Sequence, residues 1–150
     1  DDPLDPRLPA MERVLGVSVR DVHRLYPFGV LGERPVINDE IMQIPVVVIS
    51  RNGVLSALDA TRIRDSREIA AAAAYDRRID GRRLTFELRD GVIVDTESGS
   101  VWSIFGRAVS GPLEGSALTP VDEGVHFAFA WLAFRPESQI YNPDHRSLSP

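Results

Sequence analysis

The sequence predicts an α+β fold rich in strands: an antiparallel twisted sheet or partly closed barrel of about seven to nine short strands with one C-terminal helix. Three observations predict this class. Turn dipeptides such as Asn-Gly and Asp-Gly recur at short intervals, as they do between consecutive strands. Residues 84–88 alternate apolar and polar side chains, which places Leu84, Phe86 and Leu88 towards a core. A turn-free apolar stretch over His126–Phe134 stops before Pro136, which is typical of a buried helix. The alternation of large and small residues there leaves a strand as the alternative.

The first elements are predicted around a polar turn at Arg20-Asp21. A strand over Val14–Val19 precedes this turn, and a returning strand over Val22–Tyr26 ends at Pro27, which has no N–H to donate. One helical turn is then predicted over Phe28–Glu33.

Two Asp-Gly dipeptides predict a three-stranded meander in the middle of the chain. Asp80-Gly81 separates Tyr75–Ile79 from Leu84–Leu88, and Asp90-Gly91 separates that second strand from Val92–Val94.

Another hairpin is predicted at Asn52-Gly53, with Val54–Leu58 folding back on the β-branched run Val46–Ile49. By propensity alone, the alanine run Ala70–Ala74 favours helix, because alanine is the strongest helix former.

The chain is predicted to hold one β-rich domain over residues 14–141, since 150 residues suit a single core. Residues 1–13 are proline-rich and predicted to be an extended lead-in, and residues 142–150 a flexible tail. No apolar run approaches the roughly 20 residues that cross a bilayer, so no transmembrane segment is predicted.

The charge pattern excludes several functions. All 17 basic residues are arginine, which excludes Schiff-base and P-loop lysine chemistry. A net charge of -5 with scattered arginines also argues against a nucleic-acid partner, which needs basic residues gathered on one face. The tightest basic cluster brackets Asp80-Gly81, and we interpret it as a solvated hairpin; it comprises Arg77, Arg78, Arg82 and Arg83.

No cofactor and no metal site is predicted. The chain has no cysteine, and its three histidines, at positions 23, 126 and 145, lack metal-ligand spacing. His126 is the histidine at a structured, partly apolar position, and we favour a hydrogen-bonding role there over catalysis. The segment Asp95–Ser100 is similar in composition to a calcium-binding loop, but it lacks carboxylates at alternate positions. We therefore interpret it as a tight turn.

Long collinear segments share the pattern of one family: Asp5–Val17, Tyr26–Phe28, Val36–Glu40, Pro45–Val48, Ser56–Ala60, Tyr75–Phe86, Thr96–Trp102, Gly106–Leu113 and His126–Pro136. Over about Asp5 to Tyr141 the chain resembles domain-of-unknown-function family 3179 (DUF3179), found in bacteria and archaea.

The resemblance implies further properties. Members look like tandems of two similar halves, and this chain resembles the second, Cys-free half. The first half carries Cys-x-x-Cys after the strand equivalent to Val46–Ile49, where this chain has Ser50–Gly53. The family is commonly extracytoplasmic. The resemblance also favours a strand over Ala72–Ile79, which leaves only Arg62–Ile69 as a helix there.

The leading functional expectation is a non-catalytic, extracytoplasmic binding or structural module that supports an upstream homologous half or another protein subunit. A second hypothesis is a small-molecule-binding or hydrolytic enzyme domain, whose polar cleft would be formed by Asn38, Asp39, Arg77, Trp102, Arg107 and His126. A third is an accessory to a Cys-based metal or redox site on the upstream half.

Overall fold

Fourteen strands and two short helices make up the described part of the chain, residues 8–9, 11–51 and 72–143, in the computed structural model. The predicted β-rich α+β class with a C-terminal helix is confirmed. The strands form three four-stranded sheets and a two-stranded hairpin, and none of these closes into a barrel within the described residues. The open-sheet alternative of the prediction therefore holds.

The elements in chain order are β1 (Arg13–Val19), β2 (Val22–Pro27), α1 (Phe28–Glu33), β3 (Val36–Ile41), β4 (Ile44–Ser50), β5 (Ala72–Asp76), β6 (Arg78–Ile79), β7 (Arg82–Arg83), β8 (Phe86–Arg89), β9 (Val92–Asp95), β10 (Val101–Trp102), β11 (Ala108–Ser110), β12 (Thr119–Pro120), β13 (Asp122–Phe127), α2 (Ala128–Phe134) and β14 (Gln139–Ile140).

The first sheet has the order β13-β1-β2-β14. Its β1–β2 hairpin and the helical turn α1 are confirmed at the predicted places, and Arg20 takes a φ of 55° in the turn between the strands. The long-range neighbours come from the other end of the chain: β13 runs antiparallel to β1, and β14 runs parallel to β2.

The second sheet, β12-β5-β4-β3, lies between the other two. Val46 and Val48 pack into a core shared with the first sheet, whereas Val47 and Ile49 pack into a core shared with the third. A strand buried on both faces has no need of polar alternation, which explains the unbroken apolar run in β4. Both edges of β4 are paired, with β3 and with β5.

The alanine run confirms the strand interpretation in its described part, since β5 covers Ala72–Asp76. The predicted hairpin through Asn52-Gly53 to Val54–Leu58 and the predicted helix over Arg62–Ile69 lie outside the described residues. So do most of the 1–13 lead-in and the residues after 143.

The predicted continuous meander is wrong, although both of its Asp-Gly turns are right. Asp80-Gly81 joins only the two-residue strands β6 and β7, and Asp90-Gly91 joins β8 to β9 in the third sheet, β11-β10-β9-β8. Arg77 separates β5 from β6 because its side chain turns inward, and the chain then passes into a different sheet. Such breaks also explain why the strands are shorter and more numerous than predicted.

The C-terminal helix starts two residues later than predicted, because His126 and Phe127 belong to β13. It is also less buried than predicted: Ala128 and Leu132 are buried against Val14 and Leu25 of the first sheet, but the rest of α2 is not. Within the described residues, neither helix has the length and apolar character needed to span a membrane.

Candidate functional site

Asn38 on β3 joins two sheets through its side-chain amide. Its Nδ2 donates to the carbonyl oxygen of Phe86 over 2.7 Å, and its Oδ1 accepts from the N–H of Phe86 over 2.9 Å. Phe86 opens β8 in the third sheet, so the amide takes the place of a ladder partner at that point.

Arg77 is the most enclosed charged side chain of the predicted cleft, with 7% of its surface exposed. Its guanidinium donates to three backbone carbonyls: Nε to Val46 over 2.9 Å, Nη1 to Leu84 over 2.8 Å and Nη2 to Asp39 over 3.1 Å. Burial lowers the pKa of Arg77, and the nearby Arg83 lowers it further. The fork of donors therefore fastens three separate segments together.

Asp39, next to Asn38, directs its carboxylate to β2. Its Oδ2 accepts from Arg24 Nη1 over 2.9 Å and from the Tyr26 hydroxyl over 2.7 Å. Burial, reinforced by the Asp39 charge, holds the pKa of Tyr26 well above its ordinary value. Tyr26 also stacks on Tyr141, with ring centroids 5.3 Å apart. The carboxylate thus bridges the first and second sheets.

Trp102 is a core side chain whose indole Nε1 donates to Asp95 Oδ1 over 2.8 Å. Asp95 is fully buried, and its Oδ2 accepts from the N–H of Ser98 over 2.6 Å. The Trp102 ring meets Phe86 edge to face at 5.3 Å. These contacts confirm the tight turn over Asp95–Ser100.

The six predicted cleft residues are not drawn into one group. Asn38, Asp39 and Arg77 lie together, and Trp102 joins them through Phe86. Arg107 is exposed at an isolated bridge to Ala117, and His126 is exposed beside Trp131. Among the described residues, no hydrogen bond links Arg107 or His126 to the other four. A ligand-binding role for the six stays a prediction.

A concavity of about 320 Å³, here called the Trp131 pocket, lies on α2 and is lined by His126, Ala130, Trp131, Phe134 and Arg135. The indole of Trp131 is fixed at both ends. Its Nε1 donates to Ser138 Oγ over 2.7 Å, and its six-membered ring lies over Gly16, where a Cβ would come within 2.8 Å of Cζ3. At position 16 of β1, only glycine leaves room for this ring.

Basic groups surround that ring. The Arg135 guanidinium carbon lies 5.6 Å from the ring centre, and the imidazole centroids of His126 and His23 lie 4.6 Å and 5.8 Å away. His23 Nδ1 is 2.7 Å from Ser18 Oγ, and its Nε2 is 3.5 Å from Arg135 Nη1. In the second of these contacts the guanidinium is the donor, because arginine has no acceptor.

Further apolar side chains are exposed on and beside α2. Phe134, which also lines the pocket, is 84% exposed. Phe129 and Phe127 are 48% and 43% exposed, and the centroids of these two rings lie 6.2 Å apart. Met11, 65% exposed, precedes Glu12, whose carbonyl accepts from the N–H of Ala128 at the start of α2. We call the four side chains Met11, Phe127, Phe129 and Phe134 the aromatic edge.

Sequence reasoning selected His126 but missed three other members of this surface. Trp131 and Arg135 are four residues apart, a spacing that places both on one helix face, and this signal was available once a helix had been predicted. His23 could not have been found so, because it joins them only through the pairing of β1 with β2 and the docking of α2 on that sheet.

A second concavity of about 250 Å³ lies near the end of β4, and the described residues that line it include Ile49, Tyr75, Phe105 and Glu123. The Tyr75 hydroxyl donates to the Ile104 carbonyl over 3.0 Å, and burial raises the pKa of Tyr75 to about 12, with a further contribution from Glu123. Burial also raises the pKa of the Glu123 carboxyl, and Asp122 adds to this effect.

Metal ligands are not clustered in the described ranges: no three histidine, aspartate or glutamate side chains there are placed to hold an ion.

Comparisons with known proteins give a family assignment. Residues 1–138 match the family described as "Protein of unknown function (DUF3179)". No curated protein and no solved structure matches the chain. Because the family match covers most of the sequence, the chain belongs to family DUF3179.

Proposed function

We propose that this domain is a non-catalytic protein-binding module whose contact surface is the aromatic edge with the adjoining Trp131 pocket. The observation that supports it is the mismatch between the composition and the burial of α2. All seven residues of this helix are apolar, yet only Ala128 and Leu132 are buried. A helix that is apolar all round is normally covered, and exposed apolar patches commonly mark interaction surfaces.

The contacts of the predicted cleft support binding over catalysis. The Arg77 guanidinium and the Asn38 amide direct their polar atoms at backbone groups of the same chain. A substrate would have to displace those contacts, whereas the aromatic edge is accessible as it stands. As part of the proposal, the partner is an adjoining homologous half or a separate protein subunit outside the cytoplasm.

The experiment is site-specific photo-cross-linking in the native cells, with a photoreactive amino acid at one exposed position at a time. Phe134 is the test position, because its exposed side chain makes replacement tolerable. Arg89, which is exposed on β8 of the third sheet, is the control position. We expect a discrete cross-linked protein from position 134 that is absent from position 89.

Affinity for the cross-linked protein is then measured with purified components. Phe134→Ala removes an exposed ring, and we expect it to weaken binding by roughly tenfold or more, as for a central interface residue. Met42→Ala is the matched control, since Met42 is 45% exposed on the turn between β3 and β4. Equal cross-linking from both positions, or equal affinity of both variants, would contradict the proposal.

A further inference from the structure

We propose that the Trp131 pocket binds a carboxylate of an acidic segment of the partner protein, presented beside an apolar side chain. This inference rests on the proposed function and specifies the chemistry of the partner. The apolar side chain packs on Trp131 and Phe134, and the carboxylate binds Arg135.

The first support is that the pocket is preformed. The Trp131 indole is held by its hydrogen bond to Ser138 and by the ring's close fit over Gly16. Ala130 and Phe134 supply the remaining apolar wall, and Phe134 is shared with the aromatic edge. A side chain that rests on Trp131 is therefore also in reach of Phe134.

The second support is the charge of the lining. Arg135 and His126 line the pocket, and no carboxylate does so among the described residues. Within the same part of the chain, the guanidinium of Arg135 has one hydrogen-bond partner, the ring nitrogen of His23.

The geometry of that single contact favours a ligand. A guanidinium carries five N–H donors in a planar fork, and contact with His23 engages Nη1 alone. The remaining donors suit the two oxygens of a carboxylate. Nucleic acid is disfavoured, because a single arginine with two histidines does not form the row of basic residues that follows a phosphate backbone.

The test uses the full chain and two blocked dipeptide probes, acetyl-Phe-Asp-amide and acetyl-Phe-Asn-amide, which differ only in the charge of one side chain. Binding is followed by the indole N–H signals in ¹⁵N NMR spectra. Trp131 reports on the pocket, and the buried Trp102 serves as an internal reference. We expect the Asp probe to shift the Trp131 signal and to bind roughly two- to fivefold more tightly than the Asn probe at low salt, a preference that salt diminishes.

Arg135→Gln should remove the preference for the Asp probe, and Arg82→Gln should keep it, because Arg82 is an exposed arginine on the remote β6–β7 hairpin. The inference is overturned by equal affinity for both probes, by a preference that survives Arg135→Gln, or by the absence of a Trp131 shift with either probe. Cross-linking from position 134 tests the proposed function separately. If a partner is captured there but the Asp probe is not preferred, the carboxylate-binding inference is wrong and the protein-binding proposal stands.

Discussion

The side chain of Asn38 and the backbone of Phe86 form a closed pair of hydrogen bonds, 2.7 Å and 2.9 Å long, between two different sheets. The pairing imitates the exchange between neighbouring strands, but one partner is a side chain. Asn38 consequently ties the second sheet to the third through its side chain.

Removal of this amide should destabilise the fold. We expect Asn38→Ala to lower the free energy of unfolding by about 1–3 kcal/mol, because the N–H and C=O of Phe86 lose their partner in a partly buried place. Urea denaturation measures the change, and Ser110→Ala, at an exposed position on β11, should stay within about 0.5 kcal/mol of the parent protein. An unchanged urea midpoint for Asn38→Ala would mean that the amide is not needed for stability and is available to bind a ligand.

Arg77 should not tolerate lysine. Lysine keeps the charge but cannot direct three donors at the carbonyls of Val46, Leu84 and Asp39. We expect Arg77→Lys to cost about 2–4 kcal/mol, since it leaves buried carbonyls unpaired and a charge in a poorly fitting site. Arg82→Lys on the exposed hairpin is the matched control and should be nearly neutral. Equal stability of the two variants would show that the fork geometry is unimportant.

A methyl group at position 16 should displace Trp131. An added Cβ would lie 2.8 Å and 2.9 Å from two carbons of the indole, so we expect Gly16→Ala to cost about 1–3 kcal/mol as an overpacking substitution and to change tryptophan fluorescence.

Two comparisons isolate the cause of that cost. In a Trp131→Ala background, Gly16→Ala should cost much less, because the ring is absent. Gly29→Ala in α1 is the control, since its Cβ would meet Glu12 Oε2 at an ordinary 3.6 Å and alanine favours helix. A full cost for Gly16→Ala without the ring would assign the effect to the backbone of β1.

Glu123 should make stability depend on pH. Burial, with the added charge of Asp122, raises the pKa of Glu123 in the folded protein, so the folded state binds this proton more tightly than the unfolded state. The contribution of Glu123 is therefore most favourable below its unfolded pKa and is lost as the pH rises through the folded pKa. At neutral pH we expect Glu123→Gln to raise the free energy of unfolding by up to about 0.5 kcal/mol, seen as a slightly higher melting temperature. Near about pH 3.5 we expect little effect.

Glu114→Gln is the matched control, because Glu114 is an exposed carboxylate. Its melting temperature relative to the parent protein should show no such dependence. The same difference for Glu123→Gln at both pH values would contradict the raised pKa.

Short sequence motifs correctly predicted those turns whose conformation depends on their own residues. Asp80-Gly81 and Asp90-Gly91 take positive φ angles in their turns, as their residue types favour. The turn between β3 and β4 also needs positive φ, but Met42 and Gln43 supply it without glycine or asparagine. The pairing of β3 with β4 over six residue pairs stabilises that turn. No short sequence motif predicts the turn.

The candidate surface depended still more on distant contacts. Composition predicted that α2 would be buried, because an all-apolar helix normally is. Its actual burial is set by the single sheet face beneath it, which takes up Ala128 and Leu132 and leaves Phe129 and Phe134 outside. His126 was recognised by its residue type, but His23 reaches the same Trp131 ring only through the pairing of β1 with β2 and the docking of α2 on that sheet.

The order of the first sheet also constrains how a ribosome-bound chain can fold. β1 and β2 are synthesised long before their outer neighbours β13 and β14, and Arg24 hydrogen-bonds Gln139 across 115 positions of sequence. Long-range pairing of this kind slows folding, and exposed strand edges invite wrong partners in the meantime. Until the segment from Asp122 to Ile140 has emerged, the nascent β1–β2 hairpin lacks both of its neighbouring strands and offers both edges to other chains.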